Sequence, residues 1–298
     1  MLYNNILMRD VLKFNPREYP GVTIDRDTVI VTTNHLGADM NGDAGLDVQY
    51  LADVSGHTVI GMNRLGSGDG VNYSRALAKE LTKRPEDVTA RWVATIGPEV
   101  VKQSPSRVEL VGRSAGANLM LHVAALELIP LTEAVLAIEG LRFDPINTRL
   151  GYLMYIHYKL RKEGKYKDRQ NDIVDPDLLL SRDVRPAKAV DPRSMLRRQL
   201  IDIRHSQHLW ASDLPFKNAL HIAKNVDIRA TILLAEESMA AESPKKELAL
   251  EELYTARATS SILRLIVAET VKFTTHGSFD DPRLYATHYR SFAAGNKY

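Results

Sequence analysis

Runs of β-branched and apolar residues alternate with amphipathic helical patterns along most of the chain. Six short runs predict buried strands, at Thr28–Thr33, His57–Asn63, Arg107–Gly112, Ala134–Glu139, Arg229–Ala235 and Ser261–Val267. Five other segments have helical periodicity, at Arg75–Lys83, Pro85–Lys102, Ala115–Leu128, Lys245–Ala256 and Pro282–Ala293. This alternation predicts an α/β fold with a mostly parallel central sheet and helices on both faces.

The alternation stops in the middle of the chain. Leu141–Val226 is rich in charge and has no clear strand pattern, but Gly151–Arg161, Pro192–Ile203 and Leu214–Lys224 have helical periodicity. An interruption of about 80 residues is too long for an ordinary loop, so it should carry its own structure. The sequence therefore predicts a core domain in two parts, residues 1–143 and 227–298. A mainly helical cap or lid insertion, residues 144–226, separates them.

Composition limits the chemistry. The 298 residues include no cysteine, which excludes disulfides, thiolate nucleophiles, iron–sulfur clusters and thiolate zinc sites. Any nucleophile must then be a hydroxyl, an amine, a carboxylate or water. His205 and His208 are spaced like metal ligands, but no acid lies in helical register beside them, so we expect no metal and no cofactor. A net charge of +2 is too balanced to favour nucleic acid as a partner.

Basic residues concentrate in the predicted insertion. Lys159–Arg204 has thirteen basic and eight acidic residues, a net charge of +5, so such a cap could attract an anionic substrate or surface. A solvated helical cap with mixed charges is the other interpretation. Met1–Lys13 lacks the features of a secretory signal, and no stretch reaches about 18 apolar residues. We therefore expect a cytoplasmic protein without a transmembrane segment.

The clearest chemical signal is Gly112-Arg113-Ser114-Ala115-Gly116, between a predicted strand and a predicted helix. A serine at the tip of a sharp strand-to-helix turn is forced out of the sheet, and small residues two positions before and after it avoid a clash. The following helix directs N–H groups and partial positive charge toward a developing oxyanion. Ser114 is therefore the candidate nucleophile and the Ala115 N–H a candidate oxyanion donor. An incidental serine in a small-residue turn is the other interpretation.

A serine nucleophile needs a base, normally histidine, and an acid that orients it. His276 lies on the predicted loop between the last strand and the last helix, where the base is expected, although a solvated histidine that caps the helix is also consistent. The acid should follow the strand Arg229–Ala235, and Glu237 is the first choice. Solvated carboxylates would explain these residues equally well. The alternative acids follow that strand or the preceding one, at Glu236, Glu242, Asp144 and Glu139.

A second oxyanion donor is expected in the turn after the first strong strand, Asn34-His35-Leu36-Gly37-Ala38. Gly37 is the small residue that a tight turn near the serine requires, and Leu36 is the next candidate. A plain strand-to-helix turn is the alternative. Two further residues are candidates for lining the substrate, His35 in this turn and Arg113 beside the nucleophile, and each could instead be structural.

These motifs together resemble the α/β-hydrolase superfamily over most of the chain outside the insertion. Gly112–Gly116 matches the nucleophile elbow of that family. His35–Gly37 resembles its oxyanion loop, and Asn63–Gly68 resembles its glycine-rich loop with Asn at the usual acid. His276–Pro282 resembles its histidine followed by an acid–proline helix start. The acid loop departs most, since Ala235–Ser238 reads Ala-Glu-Glu-Ser where the family usually has Gly-x-Asp-Asp.

The resemblance implies a serine hydrolase in which Ser114 attacks the acyl carbonyl of a small-molecule substrate and His276 transfers the proton. Glu237 or a neighbour would orient the histidine, and the N–H groups of Ala115 and Gly37 would bind the oxyanion. The implied reaction is hydrolysis of a carboxylic ester, although a thioester, an amide or a C–C bond would need the same residues. An acyltransferase and a non-catalytic protein that binds a ligand or another protein are the alternatives. The oligomeric state is not predicted.

Overall fold

The computed structural model describes residues 11–34, 40–64, 85–141, 169, 172–179, 213–237, 246–258, 266–275, 278–279 and 281–294. Its strands are β1 (Val11–Phe14), β2 (Asp25–Thr33), β3 (His57–Met62), β4 (Arg107–Arg113), β5 (Thr132–Ile138), β6 (Arg229–Glu237) and β7 (Ile266–Thr275). Its helices are α1 (Asp43–Ser55), α2 (Pro85–Val101), α3 (Ala115–Ala125), α4 (Pro176–Leu179), α5 (Leu214–Asn225), α6 (Lys246–Ala258) and α7 (Pro282–Ala293).

The described strands form one sheet in the order β1-β3-β2-β4-β5-β6-β7. β1 runs antiparallel to β3, and every other neighbouring pair is parallel. Parallel strands need crossover connections, and a right-handed helix packed on the sheet provides one. The predicted α/β fold class, with a mostly parallel sheet and helices on both faces, is confirmed.

Helices cover both faces of the sheet, so its central strands are buried on both sides and are almost continuously apolar. One face packs against α2, α3, α5 and α6, with Trp92 and Ile96 fully buried. The other face packs against α1 and α7, with Leu51, Tyr289 and Phe292 buried. Successive side chains of β4 therefore point to different helical layers, which decides what surrounds each residue near its carboxyl end.

Five of the six predicted strands are in place, with shifted ends. The predicted strand Ser261–Val267 is misplaced, because β7 begins at Ile266 and continues to Thr275. In the described sheet β7 has a neighbour on one side only, so it tolerates an exposed Lys272 that interrupts the apolar run. The predicted helix Ala115–Leu128 also ends early, since Glu127 has a left-handed φ of 48°.

β1 and α1 are not predicted from the sequence. β1 has four residues at the edge of the sheet, too few for a clear alternation. α1 buries Ala44, Val48, Leu51 and Ala52 at helical spacing, but the glycines near its start favour a turn. The predicted helices at Arg75–Lys83, Gly151–Arg161 and Pro192–Ile203 lie outside the described residues.

Parts of the predicted insertion are described, and they pack on the core. Val174 and Leu178 are buried on the face that carries α1 and α7, and the Arg290 guanidinium lies 3.2 Å from the Asp175 carboxylate. α5 packs against α3 and α6 on the opposite face. The packing therefore associates α5 with the core, while the division at residues 144–226 stays a prediction.

Candidate functional site

Ser114 lies at the sharp turn that joins β4 to α3, and its backbone is strained. Its φ of 53° and ψ of −125° lie outside the regions that a residue with a Cβ ordinarily adopts. Hydrogen bonds hold the turn on both sides. The Ser114 N–H donates to the Ile138 carbonyl at 2.8 Å, and the Ser114 carbonyl accepts from the Asn118 N–H at 3.2 Å. This is the backbone geometry of a nucleophile elbow.

Two glycines make this turn sterically possible. A Cβ on Gly112 would lie 2.7 Å from the carbonyl of Gly116, closer than real Cβ atoms come to other atoms. A Cβ on Gly116 would lie 3.0 Å from the carbonyl oxygen of Asn34, which is also tight. α3 can therefore approach β4 and β2 this closely only if both positions lack side chains. The glycine spacing around Ser114 has a steric cause.

α3 begins directly after Ser114. Ala115 is its first residue, so its N–H belongs to the first-turn amides that find no partner within the helix. Every residue of α3 is buried, so the positive end of its dipole acts in an environment with little solvent screening. This position supports Ala115 as an oxyanion donor, which stays a prediction.

The predicted oxyanion turn begins and ends at anchored residues. At its start, the Arg64 N–H donates to the Asn34 side-chain oxygen at 2.8 Å, and Arg64 Nε donates to the Asn34 carbonyl at 3.0 Å. At its end, the Met40 N–H donates to the Asn63 side-chain oxygen at 2.9 Å. All four residues are almost completely buried. The candidates between these anchors lie outside the described residues, namely His35, Leu36 and Gly37.

Glu139 follows β5, and its carboxylate takes the place of a backbone carbonyl in the sheet. Its N–H donates to the Leu233 carbonyl at 2.7 Å, and its φ of 56° then turns the chain away from β6. The carboxylate accepts a hydrogen bond from the Ala235 N–H. Since Glu139 is buried, this bond connects the ends of β5 and β6 away from solvent. Among the predicted acids, Glu139 is therefore the one whose carboxylate bonds to the backbone of β6, and its place as an alternative acid stays a prediction.

Glu236 holds an irregularity in β7. Two steps along β6, from Ala235 to Glu237, correspond to four steps along β7, so β7 contains a bulge. Glu236 Oε2 accepts a hydrogen bond from the Phe273 N–H at 2.7 Å, and Phe273 has a left-handed φ of 58°. The carboxylate thus satisfies a donor that the distorted ladder leaves without its usual strand partner. The bulge ends just before the predicted base.

Glu237 is the last residue of β6 and lies beside the end of β7. It is half-buried and pairs in register with Thr275, the residue before His276 in the sequence. The predicted acid therefore lies on the strand end adjacent to the one that leads into the predicted base. The other predicted members of this group lie outside the described residues, namely His276, Glu242 and Asp144.

Arg113 is buried on the face of the sheet that carries α1 and α7. Its Nη1 donates to the backbone carbonyl of Phe279, which lies between β7 and α7. The guanidinium borders a cavity of about 30 Å³ whose other lining residues include Asp47 and Tyr285. Burial raises the pKa of Tyr285, so its phenol is neutral near pH 7. Arg113 therefore binds a backbone carbonyl and shares a cavity with polar side chains beside the elbow.

Sequence reasoning placed Asn63 and Arg64 in a glycine-rich loop but did not predict that they anchor the oxyanion turn, nor did it predict the role of Glu236 in the β7 bulge. The sequence does carry a weak signal for Asn63 and Arg64, because they are polar residues directly after a buried strand. Such positions lie at the edge where parallel sheets carry their sites. No local signal marks the bulge, since it depends on the register between two strands.

Some features that would change the chemistry are not found in the described parts of the chain. No group of three or more His, Asp or Glu side chains there could hold a metal ion. His205 and His208 lie outside these parts. None of the described helices combines the length and apolar character that crossing a membrane would require.

Comparison with solved structures identifies the fold. Proline iminopeptidase from Mycobacterium smegmatis is 14% identical, with a TM-score of 0.54 over 96% of this chain and 94% of that chain. A lipase-esterase related protein from Clostridium acetobutylicum is 15% identical, with a TM-score of 0.52 over 96% and 98%. An epoxide hydrolase from Vigna radiata is 10% identical, with a TM-score of 0.54 over 96% and 93%. No family model and no curated protein sequence matches the chain.

The protein therefore has the α/β-hydrolase fold, which confirms the resemblance stated from its motifs at the level of the fold. The similar structures include a peptidase, an esterase-related protein and an epoxide hydrolase by name, so the fold does not select one substrate class. The chemistry depends on the residues at the elbow.

Proposed function

We propose that the protein is a serine hydrolase that cleaves a carboxylic ester, or a related acyl bond, through an acyl-enzyme on Ser114. The observation that carries the proposal is the strained backbone of Ser114 at the β4–α3 turn, with φ of 53° and ψ of −125°. Such strain persists only where the surrounding structure holds it, and it concentrates at functional sites. A turn with an incidental serine would not require glycines at Gly112 and Gly116.

In the proposed reaction, the Ser114 oxygen attacks the acyl carbon while His276 takes the serine proton. The carbon–oxygen bond to the alcohol then breaks, and His276 returns the proton to the leaving alcohol. Water attacks the acyl-enzyme with His276 again as base, which releases the free acid and restores the serine hydroxyl. The N–H groups of Ala115 and Gly37 stabilise the oxyanion in both steps.

Glu237 is the proposed acid that orients His276. Its pairing with Thr275 supports this choice, since Thr275 is bonded to His276. Glu236 and Glu139 each accept a hydrogen bond from a backbone N–H, which gives their carboxylates another role. A glutamate can replace aspartate in this position because only a carboxylate in reach of the histidine is required.

We further propose that the insertion predicted at residues 144–226, apart from residues 172–179 and α5, which pack on the core, forms a cap over this site, and that the substrate is a small molecule in the cytoplasm. The net positive charge of Lys159–Arg204 favours a substrate with an anionic group. An acyltransferase would use the same acyl-enzyme with an alcohol in place of water. Product analysis with and without an alcohol acceptor separates the two, because transfer yields a new ester and hydrolysis yields only free acid.

A fluorophosphonate probe tests the proposal. We expect the wild-type protein to be labelled covalently at Ser114, and we expect Ser114→Ala to lose both labelling and hydrolysis of p-nitrophenyl esters. Ser106 directly precedes β4, at the end of the strand opposite to Ser114, so Ser106→Ala is a matched control that should retain wild-type labelling. Absence of labelling in the wild-type protein, or labelling that persists in Ser114→Ala, would favour a non-catalytic ligand- or protein-binding role.

A further inference from the structure

Arg113 connects the strand of the proposed nucleophile to the segment after the proposed base. It is the last residue of β4 and directly precedes Ser114. Its side chain lies on the same face of the sheet as Val111, so it points away from α3 and toward the layer of α1 and α7. There Nη1 donates a hydrogen bond to the carbonyl oxygen of Phe279.

The contact is buried on both sides. Arg113 is 8% exposed, and Phe279 is completely buried. A guanidinium taken out of water is costly unless its N–H groups find acceptors, so such a contact has strict geometry and is not easily exchanged for water. The titratable groups nearby are Asp47 and Tyr285 beside the cavity and His288 against the Phe279 ring. Burial lowers the pKa of His288 to about 4, so it is uncharged at neutral pH.

Phe279 lies close to the proposed base His276 in the sequence, so the bond from Arg113 acts on the segment that follows the base. His276 follows β7 directly, and Phe279 comes three residues after His276. β7 ends one residue before the histidine in the sequence, and Glu236 holds its bulge. The Arg113 bond holds Phe279, three residues after the histidine in the sequence, from the residue adjacent to Ser114.

We propose that Arg113 is a positioning residue that sets the location of His276 relative to Ser114 by holding the Phe279 carbonyl. This inference rests on the proposed serine-hydrolase function. Arg113 acts through the backbone and does not touch the substrate, which distinguishes it from a residue that binds a substrate carboxylate. A displacement of the base by about 1 Å can cost about 100-fold in rate.

The test compares Arg113→Met and Arg113→Lys with the wild-type protein. Methionine fills much of the same space but donates no hydrogen bond, whereas lysine retains a cation and a donor without the planar guanidinium. We expect kcat for p-nitrophenyl ester hydrolysis to fall roughly 10- to 100-fold in Arg113→Met with KM nearly unchanged. Arg113→Lys should recover part of the loss but stay several-fold below the wild-type kcat.

Arg229→Met is the matched control. Arg229 also contacts α7, with its guanidinium 4.4 Å from the centroid of the Phe292 ring, but it begins β6 at the opposite edge of the sheet. Arg229→Met should lower the melting temperature of the protein without changing kcat. NMR of the His276 ring, assigned with His276→Gln, provides a readout apart from turnover, and its resonance should shift in Arg113→Met and not in Arg229→Met.

Failure of this inference is distinguishable from failure of the proposed function. A wild-type protein that is not labelled at Ser114 rejects the function. A labelled wild-type protein with unchanged kcat in Arg113→Met overturns the positioning role. A raised KM with unchanged kcat also overturns it, in favour of direct substrate binding. If Arg113→Met does not fold, Arg113→Lys decides, and a wild-type kcat in that variant overturns the inference.

Discussion

At the scale of single residues, the carboxylates at the ends of β5 and β6 differ in what they contact. Glu139 and Glu236 each accept a hydrogen bond from a backbone N–H at a point where the regular ladder is broken. Glu237 instead occupies the register position opposite Thr275. The same residue type thus serves the sheet at two positions and is proposed to serve the chemistry at a third.

This division predicts different outcomes for three isosteric substitutions. Glu237→Gln should lower kcat by at least about 100-fold, because an amide cannot stabilise the imidazolium as a carboxylate does. Glu139→Gln and Glu236→Gln keep a side-chain oxygen that accepts the backbone N–H, so kcat should stay within about tenfold of wild type. Steady-state kinetics on one p-nitrophenyl ester measures all three. If Glu236→Gln or Glu139→Gln shows the large loss and Glu237→Gln does not, the triad acid is assigned wrongly.

The sequence predicts Ser114 well because its signal is local. A strand, a glycine-bracketed turn and a helix within one short segment define the elbow, and the structure has all three. The acids cannot be ranked in the same way. Their roles depend on which backbone N–H groups lose their partners, and this follows from the register of strands far apart in the chain.

At the scale of elements, close backbone contacts at Gly112 and Gly116 constrain the β4–α3 turn. We predict that Gly112→Ala lowers the free energy of unfolding by about 1–3 kcal/mol, because the new Cβ meets backbone and not a side chain that could move. It should also reduce fluorophosphonate labelling, since α3 must shift relative to Ser114. Urea unfolding and labelling rates measure the two effects.

Gly97→Ala in α2 is the control for this prediction. Apart from its chain neighbours and the backbone of its own helix, no atom lies within 4 Å of a Cβ built there. The gain in helix propensity and the restriction imposed by the following Pro98 act in opposite directions, so stability should stay within about 1 kcal/mol of wild type. Equal destabilisation by both substitutions would contradict a specific steric constraint at the elbow.

The elements differ in how well the sequence predicts them. Central strands such as β4 and β5 are buried on both faces, so apolar runs mark them clearly. β7 is predicted at the wrong residues, because its register includes a bulge held by Glu236 and its partner lies on one side only. The pattern of apolar residues in a sequence indicates which positions are buried. It is least informative for a strand that pairs on one side only and whose register with its partner is irregular.

At the scale of the whole molecule, alternation alone predicts the class of fold, since parallel strands joined by helices have few possible arrangements. In the strand order, β4 lies at the centre of the described sheet, and α3, which follows Ser114 in the sequence, packs against it. The substrate is not encoded in this way. It depends on side chains that surround the elbow, and the proposed cap carries a charge bias and no chemical motif in its sequence.

That charge bias leads to a prediction about substrate choice. If Lys159–Arg204 lies over the site, its net charge of +5 should attract an anionic ester more strongly at low ionic strength. We expect kcat/KM for a p-nitrophenyl ester with a free carboxylate to fall several-fold as ionic strength rises from about 0.01 M to about 0.15 M, because the Debye length shrinks from about 30 Å to about 8 Å.

A neutral p-nitrophenyl ester of the same length is the control, and its kcat/KM should change little over the same range. A second control is a variant that neutralises Arg197 and Arg198, which should flatten the salt dependence for the anionic ester and leave the neutral ester unaffected. Equal salt dependence for the two esters would mean that the positive charge of the insertion does not act on the substrate. The basic residues would then be a solvated surface, and selectivity would have to come from the shape of the pocket around Ser114.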